Sequence, residues 1–447
     1  MKREREDSET LAARFIERLE TRSAVVGVMG LGYVGLPLAL AFSRAGLKVV
    51  GFDIDARKVE ALNAGRCYIE HFDAESVAHA VRDQGFEATQ DFDRLSEPDA
   101  LLIAVPTPLT RQREPDMQFI IDTAEQISGR LRPGQLVVLE STTYPGTTEE
   151  VVQPRLEKSG LKAGQDFFLG YSPEREDPGN KNFDTRTIPK VVGGLDARST
   201  ELVDRLYRMA VSKTVRVPSL RTAEAVKLTE NIFRCVNIAL VNELKCIYEG
   251  MGIDIWTVLD AAETKPFGFM RFNPGPGLGG HCIPIDPFYL TWKAREYGLC
   301  TRFIELAGEV NVAMPRYVMS RLQDALNERS RPVKGSRVLV LGLAYKKDIG
   351  DPRESPSFEL MHLLRERGAD VRYHDPHVPL VPASRNWPDQ PALESVELTP
   401  ASIAEFTAIL IATDHSAVDY AMLQKHARLV VDTRGVYREP HSNVVRA

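Results

Sequence analysis

Residues 24 to 42 read AVVGVMGLGYVGLPLALAF, 19 positions without a charge. That is nearly the length of an apolar helix that crosses a bilayer. Four glycines and a proline interrupt it, however, and backbone groups freed at such breaks find no partner in lipid. The other reading is a buried strand up to Met29, a glycine turn, and a buried helix from Gly35. Spacing favours it: Gly30, Gly32 and Gly35, with Tyr33 and Val34 between the last two, form G-x-G-x-x-G between a strand-length run and a helix-length one. The first glycine permits a tight turn, the second lets a pyrophosphate approach the backbone, and the third lets helix and strand pack closely. N–H groups exposed at the helix start then hold the anion.

The next strand-like run, KVVGFD, ends on Asp53, 18 residues past Gly35. A carboxylate there can accept both hydroxyls of an adenosine ribose. A turn serving only packing would need no such acid. Asp53 would repel a 2′-phosphate, so the expected cofactor is NAD rather than NADP. Arg57 and Lys58 close by act against that inference, and Lys58 is itself a candidate cofactor contact.

Working outward, ALLIAV (100 to 105) and QLVVLES (135 to 141) are further apolar runs of strand length. Their alternation with amphipathic segments implies parallel strands covered by helices on both faces. Around 200 to 330 the pattern turns helical. Its longest member, 221 to 252, has no proline and would span about 45 Å as one helix, which suits a spine between two domains or two subunits. From about 333 the strand-turn-helix pattern returns in SRVLVLGLAY, SFELMHLLRERG, ADVRYHDP, AILIATDH and ARLVVDTRG. The expected fold is α/β, with two Rossmann-like doubly wound domains joined by a central helical domain carrying the spine.

At 447 residues there is room for about three domains. A composition 43% hydrophobic and 26% charged belongs to a globular chain rather than a disordered or coiled-coil one. Net charge is −6 with no basic stripe, which argues against nucleic acid. Five scattered cysteines without C-x-x-C spacing argue against zinc and against a disulfide framework, and for a reducing compartment. The charged start, MKREREDSETLAARFIERLETR, has no apolar run of a secretory signal. The expectation is a cytoplasmic protein with neither metal nor membrane partner.

One cysteine sits oddly. GPGLGGHCIPIDPFYL, residues 275 to 290, surrounds Cys282 with four glycines and three prolines. Small neighbours let a substrate reach the sulfur. With a nicotinamide cofactor available, an alcohol can be oxidised to an aldehyde, captured by the thiolate, oxidised again and released by water. The plain alternative is a small buried hydrophobe. His281 could lower the thiol's pKa, but adjacent residues point apart, so a backbone role suits it better. Asp286 before Pro287 reads equally as a helix N-cap or as a catalytic carboxylate. Lys227 and Asn231 lie four apart on one helical face, with Arg234 three further on. Buried, the first two could donate to an oxyanion; otherwise they belong to a salt-bridged helix.

Taken together, GLGYVGLPLA, VPTP, ESTTYPGTTE, SPEREDPGN, KLTEN, GPGLGGHCIPIDP, GLAYKKDIGDPRESPS and DTRGVY resemble, in order and over nearly the whole chain, the UDP-glucose/GDP-mannose dehydrogenase family. The resemblance implies a four-electron oxidation of a sugar C6 alcohol to a carboxylate with two NAD, and a homodimer or higher homo-oligomer. It implies a charged helical extension over 1–22, an NAD domain over 23–200, a central dimerisation domain with the cysteine loop over 201–325, and a UDP-sugar domain over 326–447. The family's nucleophile matches Cys282, and its oxyanion and acid/base pair matches Lys227 and Asn231. Its water-positioning residues match Asp286 and Thr142, the latter also near the cofactor. Glu174 matches the glutamate of thioester hydrolysis. Thr107 and Arg353 resemble cofactor contacts. Arg175, Gly279, Tyr345, Lys346 and Arg434 match the substrate side, with Arg234, Arg271 and Asn273 as further candidates. Two loops, EREDPGN and GGHCIPID, depart from the UDP-glucose members and, with the charged N-terminal extension, resemble bacterial members of surface-polysaccharide synthesis, O-antigen included, that act on UDP-N-acetylglucosamine. The implied reaction takes UDP-GlcNAc to UDP-GlcNAcA, with UDP-GalNAc, UDP-ManNAc or UDP-glucose as alternatives. A non-catalytic sensor of NAD or UDP-sugar would have no use for the cysteine and lysine.

Overall fold

The computed structural model describes residues 6–69, 74–110, 114–175, 186–280, 283, 285–381, 387 and 390–447. Cys282 and His281 lie outside the described residues. The chain forms two compact units, Met1–Glu230 with Phe288–Leu299, and Asn231–Pro287 with Cys300–Ala447.

The first unit is built on eight strands. They are β1 (Val25–Met29), β2 (Lys48–Phe52), β3 (Phe86–Thr89), β4 (Ala100–Ile103), β5 (Leu136–Leu139), β6 (Phe168–Tyr171), β7 (Lys190–Gly194) and β8 (Thr214–Arg216). Their order is β3-β2-β1-β4-β5-β6-β7-β8. Pairing is parallel except between β6 and β7. Strands β1, β4 and β5 are almost wholly buried, as expected when helices cover both faces of a parallel sheet. Residues 24 to 42 thus hold β1, a turn, and most of the helix Gly35–Arg44. Among the described residues no helix is long and apolar enough to cross a membrane.

Strand order reverses between β1 and β4, and ligands of such sheets bind beyond the strands' carboxyl ends at that point. Gly30 follows β1, Asp53 follows β2, Thr107 comes shortly after β4, and Thr142 shortly after β5. The sequence predicts strands at β1, β2, β4 and β5, but β3, β6, β7 and β8 are short or carry glycine and charge, so their signal is weak. At the other end of β1, Asp99 accepts from Val25 N (2.9 Å) and Arg132 Nη2 (2.8 Å). It also pairs with Arg18 (3.0 Å), tying in the helix Ser8–Glu20. That helix buries Leu11, Phe15 and Leu19 in the same core as Leu202 and Leu206.

The second unit carries a five-stranded parallel sheet. Its strands are β9 (Arg337–Leu341), β10 (Asp370–His374), β11 (Ala408–Ile411), β12 (Val430–Asp432) and β13 (Val444–Arg446), in the order β10-β9-β11-β12-β13. This is the other common doubly wound order. The spine is the 31-residue helix Leu220–Gly250. Within this unit, Asn242 on the spine donates to Asn311 Oδ1 (2.9 Å) and accepts from Gly275 N (2.9 Å). Asn311, on the helix Arg302–Asn327, donates in turn to the Cys235 carbonyl (3.2 Å).

A Cβ on Gly35 would lie 1.9 Å from the Gly30 carbonyl oxygen. Gly35→Ala must therefore push the helix off the strand, and is expected to destabilise the protein by about 1–3 kcal/mol, the usual range for overpacking. The check is the denaturant midpoint.

Candidate active site

In the first unit the glycine turn meets the steric demands of a pyrophosphate cradle. Gly30 has φ +87°, and a Cβ there would meet the Ala104 carbonyl at 2.5 Å. A Cβ on Gly32 would meet nothing within 4 Å, so the backbone at that point faces open space. Tyr33 is exposed, and Val34 precedes the helix that starts at Gly35 without a side-chain capping bond. Asp53 is 6% exposed. Its Oδ2 accepts from Leu31 N (2.9 Å) and Lys58 Nζ (3.1 Å), and its Oδ1 from Asp55 N (2.9 Å). The acid thus ties the end of β2 to the glycine turn, with Lys58 beside it. Arg57 instead points into solvent, paired with Asp55. Tyr68 donates to the Leu31 carbonyl and completes the clamp on the turn.

Thr107 is buried, and its carbonyl accepts from Tyr289 Oη (2.8 Å). Thr142 lies in a fixed segment. Ser141 Oγ beside it donates to the Val105 carbonyl (2.7 Å). Further along, Glu224 of the spine accepts from Gly146 N (2.5 Å) and Thr148 N (2.8 Å). Burial pushes the Glu224 carboxyl up to about 7 despite these bonds. Lys227, one turn along the spine, is 8% exposed. Glu174 follows β6, and its carboxylate accepts from Arg175 N (2.7 Å) and Lys190 Nζ (3.0 Å). Arg175 pairs with Glu230 (2.5 Å) and donates to the Pro189 carbonyl (2.6 Å).

In the second unit Asn231 and Asp286, 55 positions apart, are brought together, with Asn231 Nδ2 donating to Asp286 Oδ2 at 2.5 Å. Asp286 is also the first residue of the helix Asp286–Glu296. The glycine loop before the cysteine lies over the residues expected to grip the nucleotide sugar. A Cβ on Gly275 would sit 2.6 Å from an Arg434 guanidinium nitrogen, and one on Gly279 would sit 2.5 Å from Tyr345 Cβ. Gly280 N donates to the Arg353 carbonyl (3.1 Å). Arg434 donates to the Ala412 carbonyl (2.7 Å), and burial lowers its pKa. Lys346, next to Tyr345, is half-buried. Arg271 donates to Asn273 (2.9 Å) and pairs with Asp260 and Glu263, while Arg353 pairs with Asp351. Arg234 is exposed.

A group of possible metal ligands, Asp348, His377 and His415, gathers beyond this second sheet. Both His415 nitrogens are engaged, Nδ1 accepting from Asp348 N (3.0 Å) and Nε2 pairing with Asp375 Oδ2 (3.0 Å). The Asp348 carboxylate accepts from Ser416 N and Oγ.

These two sheets, with their glycine turns and the ordered candidate residues, match one family throughout. Residues 24–211 match the NAD-binding domain of the UDP-glucose/GDP-mannose dehydrogenase family, 221–313 its central domain, and 339–439 its UDP-binding domain. The chain belongs to this family. It is an NAD-dependent UDP-sugar dehydrogenase. It is similar to a UDP-N-acetyl-D-glucosamine 6-dehydrogenase of Pseudomonas aeruginosa, 39% identical over 88% of this chain and 90% of that protein. It is also similar to an NDP-N-acetyl-D-galactosaminuronic acid dehydrogenase of Ralstonia nicotianae, 35% identical over 92% of this chain and 96% of that one. The solved structure of a UDP-D-ManNAc dehydrogenase from Pyrococcus horikoshii superposes with TM-score 0.85 at 30% identity, covering 94% of this chain and 98% of that chain.

Residues not among the candidates named from sequence also support Glu174. Lys190, Glu140 and Tyr207 connect to it through a chain of hydrogen bonds. A signal for them existed, since Glu140 closes the apolar run LVVLE and Lys190 opens KVVGG. A charge abutting a buried strand needs a partner.

Alanine at Gly32 has room to form without strain but fills the open cradle. Gly32→Ala is expected to leave the melting temperature within a degree or so, because nothing is displaced, while titration calorimetry shows NAD binding weakened by about tenfold or more, the effect of a Cβ where the pyrophosphate must approach.

Proposed function

We propose that the protein oxidises the C6 alcohol of UDP-N-acetylglucosamine to the carboxylate, giving UDP-GlcNAcA for surface polysaccharide. The observation that carries the site assignment is the Asn231–Asp286 hydrogen bond, two residues from separate motifs meeting at the end of the cysteine loop. The choice of sugar is supported by the two variant loops and by similarity to the Pseudomonas aeruginosa protein. The NAD domain is assigned to 23–200, the helical domain to 201–325 and the UDP-sugar domain to 326–447, after the extension 1–22.

NAD, when bound, supplies hydride acceptance, once per two-electron step. Gly30, Gly32, Gly35, Asp53, Lys58 and Thr107 would hold it in the first unit, with Arg353 as a further contact. The sugar's alcohol loses a hydride and a proton. The Cys282 thiolate then adds to the aldehyde carbon, and Lys227 and Asn231 donate to the oxygen that becomes negative. Loss of a second hydride leaves a thioester on Cys282. In hydrolysis a water oxygen bonds to C6, the C6–S bond breaks to return the thiolate, and Glu174 takes the water's proton. Asp286 and Thr142 orient that water. Arg175, Gly279, Tyr345, Lys346 and Arg434, with Arg234, Arg271 and Asn273, hold the UDP-sugar.

A homodimer is the second part of the proposal. Phe233, Leu240 and Ile247 are exposed at seven-residue spacing on the spine, and Phe303 and Leu306 are exposed on the helix Arg302–Asn327. Exposed apolar side chains repeating every seven residues on one helix face favour burial against a second copy. The double variant Leu240→Asp, Ile247→Asp is expected to sediment as a monomer at concentrations where the parent does not.

The reaction is tested by counting NADH on a panel of UDP-sugars. Two NADH per sugar and the highest kcat/KM with UDP-GlcNAc are expected. One NADH per sugar refutes the thioester route, and a higher kcat/KM for UDP-glucose refutes the sugar. Cys282→Ala should lose acid formation by about a thousandfold or more, because the covalent step disappears, while still binding NAD.

A further inference from the structure

Glu174 shares its ammonium. Lys190 Nζ lies 3.0 Å from Glu174 Oε2 and 2.8 Å from Glu140 Oε2. Glu140 and Lys190 are 1% and 3% exposed. Tyr207, on the helix Ala197–Ala210, donates its hydroxyl to the other Glu140 oxygen. The Lys190 ammonium also lies over the Tyr207 ring, 5.4 Å from its centroid. The groups come from four places in the first unit: after β5, after β6, the start of β7, and that helix. On the outer side of Glu174 stands the Arg175–Glu230 ion pair. None of Glu140, Lys190 or Tyr207 belongs to the sites assigned above.

Two carboxylates on one buried cation is costly for mere packing. A buried charge pair alone seldom stabilises more than apolar residues would, and the second acid adds repulsion. Burial pushes Glu140 up to about 7 against the pull of Lys190. Burial by itself would lower Lys190, but Glu140 and Glu174 reverse that and raise it, so the ammonium stays charged. Burial and Glu140 raise Tyr207 well above the ordinary tyrosine range, so it remains a donor.

We propose that Lys190 and Glu140 are positioning residues for Glu174: Lys190 holds its carboxylate in place, and Glu140, by taking half of that ammonium, keeps Glu174 basic enough to accept the proton of the hydrolytic water. With Glu140 neutralised, the whole cation would fall on Glu174 and hold it ionised. With Glu140 present, Lys190 keeps a counter-charge in the state where Glu174 carries a proton, so no unpaired charge is buried during hydrolysis. The inference rests on the reading of Glu174 as the base of thioester hydrolysis.

The test uses full-length Glu140→Gln, nearly isosteric, with Glu174→Gln as the reference. Steady-state rates are measured with UDP-GlcNAc and NAD, and acid-quenched turnover mixtures are weighed for a uronyl thioester on Cys282. For Glu140→Gln, kcat should fall about tenfold or more, the scale of a weakened general base. Both KM values should stay within about threefold, and the adduct should rise above the parent level. A kcat within twofold of the parent, or a fall in kcat without added adduct, overturns the proposal. If Glu174→Gln accumulates adduct and Glu140→Gln does not, only the shared-ammonium proposal fails. If Glu174→Gln neither slows turnover nor accumulates adduct, the reading of Glu174 fails and the proposal with it. Should Glu140→Gln not fold, Tyr207→Phe carries the same test, since loss of that donor loosens Glu140 and should raise the adduct in the same way.

Discussion

Backbone lying directly on backbone is the constraint on which this molecule depends. At the head of the first sheet the Gly35 α-carbon packs against the Gly30 carbonyl so tightly that a methyl would lie 1.9 Å from the oxygen. That contact sets the angle at which the helix Gly35–Arg44 leaves β1, and so aims its first N–H groups. The same device returns in the second unit, where Gly342 leaves β9 against the backbone of Thr413, with 2.7 Å to a would-be methyl. In both places the close approach fixes a turn at the carboxyl edge of a parallel sheet, where such folds bind ligands.

The two sheets treat the acid after their second strand differently, and the difference separates their uses. Asp53 takes one N–H from its glycine turn and one from its own segment, with Lys58 beside it. Asp375 takes two from its turn, Leu343 N and Ala344 N, and two from its own segment, His377 N and Val378 N. His415 Nε2 adds a fifth contact. Hydrogen bonds and His415 hold the Asp375 carboxyl below its usual range although burial opposes them. Its acceptor capacity is used up by the protein, so it is not offered to a ribose. The second sheet keeps the architecture of a dinucleotide domain while its own backbone occupies the acid that would read the nucleotide.

Buried charge gathers around the residues proposed to work in the first unit. Glu224 secures the segment after β5 by its bonds to Gly146 and Thr148, and the same helix face carries Lys227. Lys190 joins Glu140 and Glu174, side chains that follow two adjacent strands. Each such group is desolvated at a cost that only specific hydrogen bonds offset, which is why these charges stand where strands end and the chain can turn to meet them.

Periodicity and spacing alone determined the α/β class, the glycine turn, the long spine and the strands that are apolar on both faces. Those features are local, since a run of Val and Leu or a G-x-G-x-x-G needs no distant partner to be read. Family motifs named the candidate side chains, but not what they touch. The strands β3, β6, β7, β8 and β13 escaped because their residues are few and mixed, and neighbouring strands rather than propensity hold them. That Asn231 meets Asp286, that the glycine loop packs on Tyr345 and Arg434, and that one lysine serves two acids were decided by the tertiary structure. Each joins positions 15 or more apart in the chain. Such contacts follow from how elements pack, a property of the folded whole that no single stretch of sequence carries.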